Sequence, residues 1–381
     1  MPLKINTTVR SSSLAFAVIL NLTCLSVNAA SRVDDLYAKS AEQVDRMRDE
    51  PAVEEGKWLP VPIPLSNPTI GSGLQAVLLY LHPKKQADSD APNATSGIGA
   101  MYTDSDSKAL AAFHDNYFAN DRFRFRGLVG TMDFNLQFYG VGSSLIKDSI
   151  DYNIKADTAM LQFSGRVPKT KSWYLGLRYL AIESDLSFSL DDISPELPDL
   201  ETGITVSNLG LILNYDTRDD NYYPTKGSYL TAVMSEDSEN WGSDFNYRKN
   251  AAQYVYYLPL ADQHTLALKG SLSDVGDEAP FFMLSTLSMR GFAGGRYLDN
   301  SSTSVHAEWR YKFLPRWGFV GFTEAGRVAS SIDTLSDSKT IISYGAGLRW
   351  QAIASKKMNI GIDYAISDDD EAVYLRIGES F

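Results

Sequence analysis

Ser304-Val305-His306-Ala307-Glu308-Trp309-Arg310-Tyr311-Lys312-Phe313 is the stretch on which the fold turns. Val305, Ala307, Trp309, Tyr311 and Phe313 alternate with His306, Glu308, Arg310 and Lys312, so one face is wholly apolar and the other wholly polar. A period of two puts successive side chains on opposite sides of an extended backbone, which marks a β-strand between two different environments. A sandwich in water and a barrel in lipid both use such strands.

Outward from this stretch the pattern repeats, and after Asn67 there is no convincing amphipathic helix. Alternating segments run near 69–81, 96–103, 108–118, 122–130, 133–141 and 150–167, and so on to 372–381. They total about 16 strands, most of roughly ten residues or more, as a tilted membrane strand requires. The fourth and fifth read equally as one long strand. Splitting them at Thr131-Met132 keeps short and long connections in phase and puts both chain ends on one side of the barrel. Short turns fall at 168–172 and 261–264, and long polar loops at 82–96, 191–201, 237–242 and 274–301. Short periplasmic turns and long outer loops are the habit of outer-membrane barrels. Tyr254, Tyr256 and Tyr257 fit an interfacial aromatic girdle.

Composition removes competitors. The chain has 381 residues, 44% hydrophobic and 22% charged, with net charge −12, a balance unsuited to neutralising phosphates, so no nucleic-acid partner is expected. Aromatics at 12% argue against general disorder. The longest apolar run, 14–20, is far short of the roughly 20 residues a spanning helix needs.

The ends read separately. Lys4 and Arg10, the apolar run 14–20 and Val27-Asn28-Ala29 make residues 1–29 a secretory signal cut after Ala29. The only cysteine, Cys24, lies inside it, which leaves no disulfide, thiolate metal site or Cys nucleophile. Residues 30–66 read as a short periplasmic leader and Pro-rich linker, and 67–381 as the barrel. Ser40 with Gln43 has capping-box spacing, and Tyr37, Val44 and Met47 would share a helical face, as a solvated leader or a small docking helix. Pro51, Pro60, Pro62 and Pro64 act as breakers in this reading. At the far end, Val373, Leu375, Ile377 and Phe381 are expected to share a face, with Glu379 interrupting it at the water interface.

Catalytic signatures are missing: no nucleophile elbow, phosphate loop or His-Glu-x-x-His occurs. His306 near Glu308 reads as two lumenal polar residues on one strand. The acid run 368–371 lacks calcium-loop spacing and reads as a solvated outer loop. Neither an enzyme, a metal nor a cofactor is expected.

Three segments resemble the BamA/TamA family of outer-membrane assembly proteins, the bacterial surface antigen family. Ser288-Met289-Arg290-Gly291-Phe292, followed by Gly294-Gly295-Arg296-Tyr297, resembles the family's Arg-Gly-aromatic motif in a long loop folded into the lumen. Gly321-Phe322-Thr323-Glu324-Ala325-Gly326 resembles the wall strand that receives that arginine. Asp216-Thr217-Arg218-Asp219-Asp220 with Tyr223-Pro224-Thr225-Lys226-Gly227 resembles a family periplasmic turn. Residues 30–66 are too few for a POTRA module, so the resemblance is to a short branch lacking them. It implies an outer-membrane location, contact with outer-membrane lipid and lipopolysaccharide, and client outer-membrane or surface proteins.

The expected site has two parts. One is a loop latch of Arg290, Gly291, Phe292, Phe322, Glu324, Gly326 and Asp363. Arginine's planar fork suits bidentate pairing with Glu324, and breaking such a pair when partly dehydrated would cost ~3 kcal/mol. The competing reading is a flexible outer loop with a surface arginine. The other part is a lateral seam of Thr69, Ile70, Gly71 and Gly73 against Leu375, Ile377 and Phe381, where unpaired backbone would template an incoming strand. The glycines would loosen pairing there or only permit curvature. Two functions stay open: a factor that assists insertion or translocation of proteins or lipids at the outer membrane, and a passive channel or structural barrel.

Overall fold

The computed structural model describes residues 56–83, 94–142, 149–188, 200–220, 223–353, 357–368 and 370–381. The strands are β1 (Lys57–Asn67), β2 (Gly71–Leu81), β3 (Thr95–Thr103), β4 (Lys108–Phe118), β5 (Phe123–Phe138), β6 (Ile150–Arg166), β7 (Trp173–Phe188), β8 (Leu200–Asp216), β9 (Gly227–Asp237), β10 (Tyr247–Ala261), β11 (His264–Val275), β12 (Ser285–Thr286), β13 (Leu298–Asp299), β14 (Ser301–Leu314), β15 (Trp317–Ala329), β16 (Ile341–Ile353), β17 (Met358–Ser367) and β18 (Glu371–Ile377). β12 and β13 pair only with each other; the other sixteen close into one antiparallel barrel. The opening stretch is β14, with Val305, Trp309 and Phe313 exposed outside and His306, Glu308 and Arg310 buried inside. No POTRA-like unit occurs among the described residues, and the leader 30–55 and most of the 191–201 loop lie outside them.

Three readings of the amino-terminal third are corrected. The Pro-rich segment taken as linker contains β1, and β5 runs unbroken through Thr131-Met132. One strand missed and one strand split cancel, which is why sixteen was still reached. They also invert the ends of the first hairpins: β2 ends and β3 begins at the same end as the short 119–122 turn, so the 82–96 connection is not an outer loop. Of the three girdle tyrosines, Tyr254 and Tyr256 are exposed on the outer face, whereas Tyr257 is buried inside the barrel and leaves that reading.

The lumen has two zones. Near the short turns it is polar, with buried Arg126 on Asp115 at 2.7 Å and buried Gln162, Arg178 and Asn214. Near the loops β5–β8 exchange the polarity of their faces. Asn135, Asp151, Lys155, Asp157, Glu183 and Asp185 point outward and are exposed, while Phe134, Leu136, Ile154, Ile182, Leu186 and Val206 are buried inside. These strands have 16 or 17 residues. At about 3.3 Å per residue they outrun a lipid band about 25 Å tall and rise into water, where the inside is the dry side. The 276–300 segment folds into this space, and Phe282 and Met283 join its apolar cluster.

The barrel closes where β1 meets β18, at one registered pair, Ser66↔Leu375. Every other adjacent pair of barrel strands is registered over 7 to 16 residues. The sequence of β1 explains this. All of β1, Lys57 to Asn67, is registered against β2, and Ser72 O and His82 N–H bond on the β3 side, so the backbone groups that join β2 to β1 belong to odd-numbered residues on both strands. Pro60, Pro62 and Pro64 are even-numbered and direct their missing N–H toward β18. Alternating prolines are compatible with a strand whose outer edge carries no ladder, which is how a run read as a breaker becomes β1.

Candidate functional site

β14, β15, β16 and β17 each bring an inward carboxylate or arginine to one level of the lumen, because each alternates and lipid occupies the other face. Into this level comes Arg290 from the 276–300 loop. Its main-chain N–H donates to Glu324 Oε2 at 2.6 Å and its Nε to Glu324 Oε1 at 2.7 Å. Nη1 donates to Glu308 Oε2 at 2.8 Å and to Asp363 Oδ2 at 3.1 Å. The guanidinium carbon lies 3.3 Å from the Phe322 ring centroid, a cation–π stack in a water-poor site. Arg290 is 4% exposed and Glu324 2%, so the surface-arginine reading is excluded.

The pair extends into a network. Arg310 Nε donates to Glu308 Oε1 at 2.9 Å, and Arg349 Nε to Glu379 Oε2 at 3.0 Å. Asp363 also pairs with Arg349, and with Arg376 at 3.0 Å. Glu308, Glu324, Asp363 and Glu379 thus face Arg290, Arg310, Arg349 and Arg376, four charges against four. Balance and shared hydrogen bonds are what make buried charge tolerable. His306 Nδ1 lies 3.3 Å from Glu324 Oε1, as a member of the network.

Backbone shape completes the latch. Gly291 has φ +103°, and a Cβ there would press on Ser343 and on the Ile366–Ser367 backbone at 3.2 Å. A Cβ at Gly326 would sit 2.3 Å from Leu287 Cδ1 and 2.9 Å from Thr303 O, so the loop lies directly on that wall position. Phe292 packs with Leu287, Tyr297, Val328 and Ile341. All seven residues expected in the latch therefore converge. Glu308, Arg310, Arg349, Arg376 and Glu379 were not singled out for it. Their signal was inward parity on neighbouring strands, which becomes specific only once register is known.

Ion pairs also stand at the short-turn mouth. Arg218 holds Asp216 through Nε at 3.0 Å and Nη2 at 2.6 Å, and Lys357 reaches Asp220 at 2.8 Å from the β16–β17 turn. Tyr223 lines a small cleft with Arg349, Gln351 and Asn359 beneath the ionic network.

The expected seam is only partly correct. Leu375 is at the seam, and Ile377 ends β18. Thr69 and Ile70 sit in the β1–β2 turn, while Gly71 and Gly73 belong to β2, flanked by β1 and β3. Phe381 leaves the Val373 face: after Gly378 (φ +83°) the chain turns into the lumen. There Phe381 packs with Tyr229, Val255, Tyr257 and Ala267, and Arg310 Nη2 donates to its main-chain oxygen at 2.6 Å. Glu379 goes with it, 8% exposed and bonded to Arg349 and Asn359 rather than to interfacial water. The 368–371 run is not simply solvated either, since Asp370 pairs with Arg296 at 3.1 Å.

A family model described as the Omp85 superfamily domain matches residues 93–381. Among solved structures the chain is similar to BamA from Haemophilus ducreyi lacking POTRA domains 1–3, at 16% identity and TM-score 0.59, over 86% of this chain and 70% of that one. It is similar to CdiB from Escherichia coli at 14% identity and TM-score 0.63, over 96% and 74% respectively. CdiB from Acinetobacter baumannii follows at 12% identity and TM-score 0.54, over 85% and 60%. At these identities the structural likeness speaks for the fold.

Proposed function

This chain belongs to the Omp85 superfamily, and from that premise we propose that it is an outer-membrane barrel that assists insertion or translocation of proteins, or of lipids, through its lateral seam. The observation that carries the reading is the β1–β18 contact, one registered pair in a barrel otherwise fully laddered. A barrel that works along its axis needs an open lumen and gains from a strong seam. Here an apolar plug and an ionic network fill the lumen, and the seam is the weak place. Polypeptide or acyl chain admitted sideways meets lipid on one side and protein on the other, the setting in which a transmembrane strand finishes its hydrogen bonding.

The short-turn end faces the periplasm in this reading, and the long β5–β8 wall faces outward. The retained family barrel also fits a passive channel or structural role. Deleting the gene and quantifying the outer-membrane proteome and surface lipids separates these. Selective loss of particular barrels or surface proteins, restored by wild type but not by Arg290→Ala, supports assembly. An unchanged proteome with altered small-solute uptake and a wide, steady conductance would discard it.

A further inference from the structure

We propose that the two lips of the seam are chemically unequal, and that an extended polypeptide segment docks on the β18 lip and not on the β1 lip. The inference deepens the reading above and rests on it for the seam being a working site. In β18 the even-numbered backbone groups face β17: Asp370 O accepts from Ser367 N–H, and Gly378 N–H donates to Asn359 O. The odd-numbered groups of Glu371, Val373, Leu375 and Ile377 therefore face the seam; Glu371 N–H is taken by Asp370 Oδ1 at 2.8 Å, and Val373, Leu375 and Ile377 each present a donor and an acceptor.

Across the gap stand the even-numbered residues of β1. With Ser66 opposite Leu375, the antiparallel register places Pro64 opposite Ile377 and Pro68 opposite Val373. The one bonded position is thus flanked on both sides by residues with no N–H. A hydrogen-bonded antiparallel pair exchanges two bonds, and a proline forfeits the one it should donate. Pro62 and Pro60 extend the deficit along the same edge. The ladder stops where the donors stop, and the chain beyond Ile377 turns inward instead of continuing beside β1.

An incoming strand meets the same chemistry. Against β1 it finds acceptors without matching donors at Pro60, Pro62 and Pro64, with N–H groups left only at Trp58 and Ser66. Against β18 it can exchange both bonds at Val373, Leu375 and Ile377, at the cost of displacing the Ser66 pair and parting the loop contacts that bridge Thr69 to Tyr374. Side chains narrow the partner further. Val373 points outward and is 52% exposed, whereas Tyr374 reaches into the lumen to Gly291 N–H at 2.9 Å and Arg376 to Asp363. The occupant that fits alternates apolar and polar residues and carries no proline at its β18-facing positions.

The probe is a synthetic peptide with the sequence of Ser301–Leu314, alternating and proline-free, added to the purified full chain in detergent and followed by amide hydrogen exchange. The expected result is exchange across 371–377 slowed by about tenfold or more, as for edge amides drawn into a ladder. The same peptide with proline at alternate positions is expected to have no effect. In a Pro60→Val, Pro62→Val, Pro64→Val variant the two lips zip together, so 371–377 is protected without peptide and unchanged by it. If that variant does not fold, Pro64→Val alone, beside the bonded pair, carries the same expectation. Equal protection by both peptides, no protection by either, or wild-type exchange at 371–377 in the proline-free variants overturns the proposal. Peptide docking on β18 with an unchanged proteome in the deletion strain would remove the assembly role and leave the lip assignment standing.

Discussion

β6 and β7 are registered over fifteen residue pairs; β18 and β1, in the same barrel, over one. The long wall β5–β8 is doubly secured, by continuous ladders and by the apolar interior it builds where it rises above the lipid. The seam has neither. What spans it is the 276–300 loop. Gly294 N–H donates to Thr69 Oγ1 at 2.8 Å on the β1 side. On the other side Gly291 N–H donates to Tyr374 Oη at 2.9 Å, Ser367 Oγ donates to Gly291 O at 3.1 Å, and Arg296 pairs with Asp370. The barrel is therefore closed by its ladders on most of its circumference and by a side-chain clasp at one place. A ladder opens only cooperatively, whereas a clasp can be loosened anchor by anchor.

The anchor with the largest leverage is Arg290. Arg290→Ala leaves Glu324, Glu308 and Asp363 with less compensation in a dry site, a loss of about 3–5 kcal/mol. Protease cleavage within 276–300 and amide exchange in β18 are both expected to rise, with β6–β7 unchanged. Equal loosening of β6–β7 would mean that the wall and the clasp are not separate. Gly326→Val attacks the same contact sterically. The new side chain meets Leu287 and the Thr303 backbone, overpacking that costs about 1–3 kcal/mol and lifts the loop with every charge left in place. A melting temperature and cleavage pattern like wild type would show that the loop does not bear on that wall.

The division between wall and clasp also explains what the sequence made legible. The alternation of most strands and the lumenal face of Glu324 follow from a period of two, which lipid on one side enforces, whereas the total of sixteen rested on two errors that cancelled. The Arg290–Glu324 pairing came through the family resemblance, and its wider network did not. Glu308 and Arg310 stand in the most readable stretch of the chain, yet their partners Arg290 and Glu379 come from other elements. Parity says which way a side chain points, not what stands opposite. β1 was hidden for a different reason. Proline is a reliable breaker for a strand bonded on both edges, and Pro60, Pro62 and Pro64 become acceptable only when one edge is left unbonded, a fact about the closed barrel. Glu379 and Phe381 were misplaced because a period of two was carried past Gly378, whose positive φ ends the strand.

A smaller effect tests the other side of the clasp. Thr69→Val keeps the shape of the β1–β2 turn and removes the acceptor of Gly294 N–H, a loss of about 1 kcal/mol. Exchange at Gly294 and its neighbours is expected to rise without the cleavage seen in Arg290→Ala, since the ionic anchor remains. If Thr69→Val alone exposes the loop to protease, the two anchors are coupled.

The smallest effect sits at the far mouth, in the turn between β8 and β9. Asp219 is partly shielded, the largest single influence, which pushes its carboxyl up, but bonds from Thr225 Oγ1 at 2.6 Å, Thr225 N–H at 2.9 Å and Lys226 N–H at 3.1 Å together outweigh it. The net result holds its pKa below the usual carboxylate range. A depressed folded value means that this stabilisation is present above the unfolded value, near about 4, and is lost as pH falls through the folded one. Amide exchange at Thr225 and Lys226, corrected for the intrinsic pH dependence of exchange, is therefore expected to quicken below about pH 4, while the clasp residues near Gly291 stay protected. Asp219→Asn is expected to remove the acid-sensitive part of this change. If the turn and the clasp loosen together on acidification, the short-turn mouth and the loop plug belong to one cooperative unit, and the separation between wall and clasp does not extend to the two ends of the lumen.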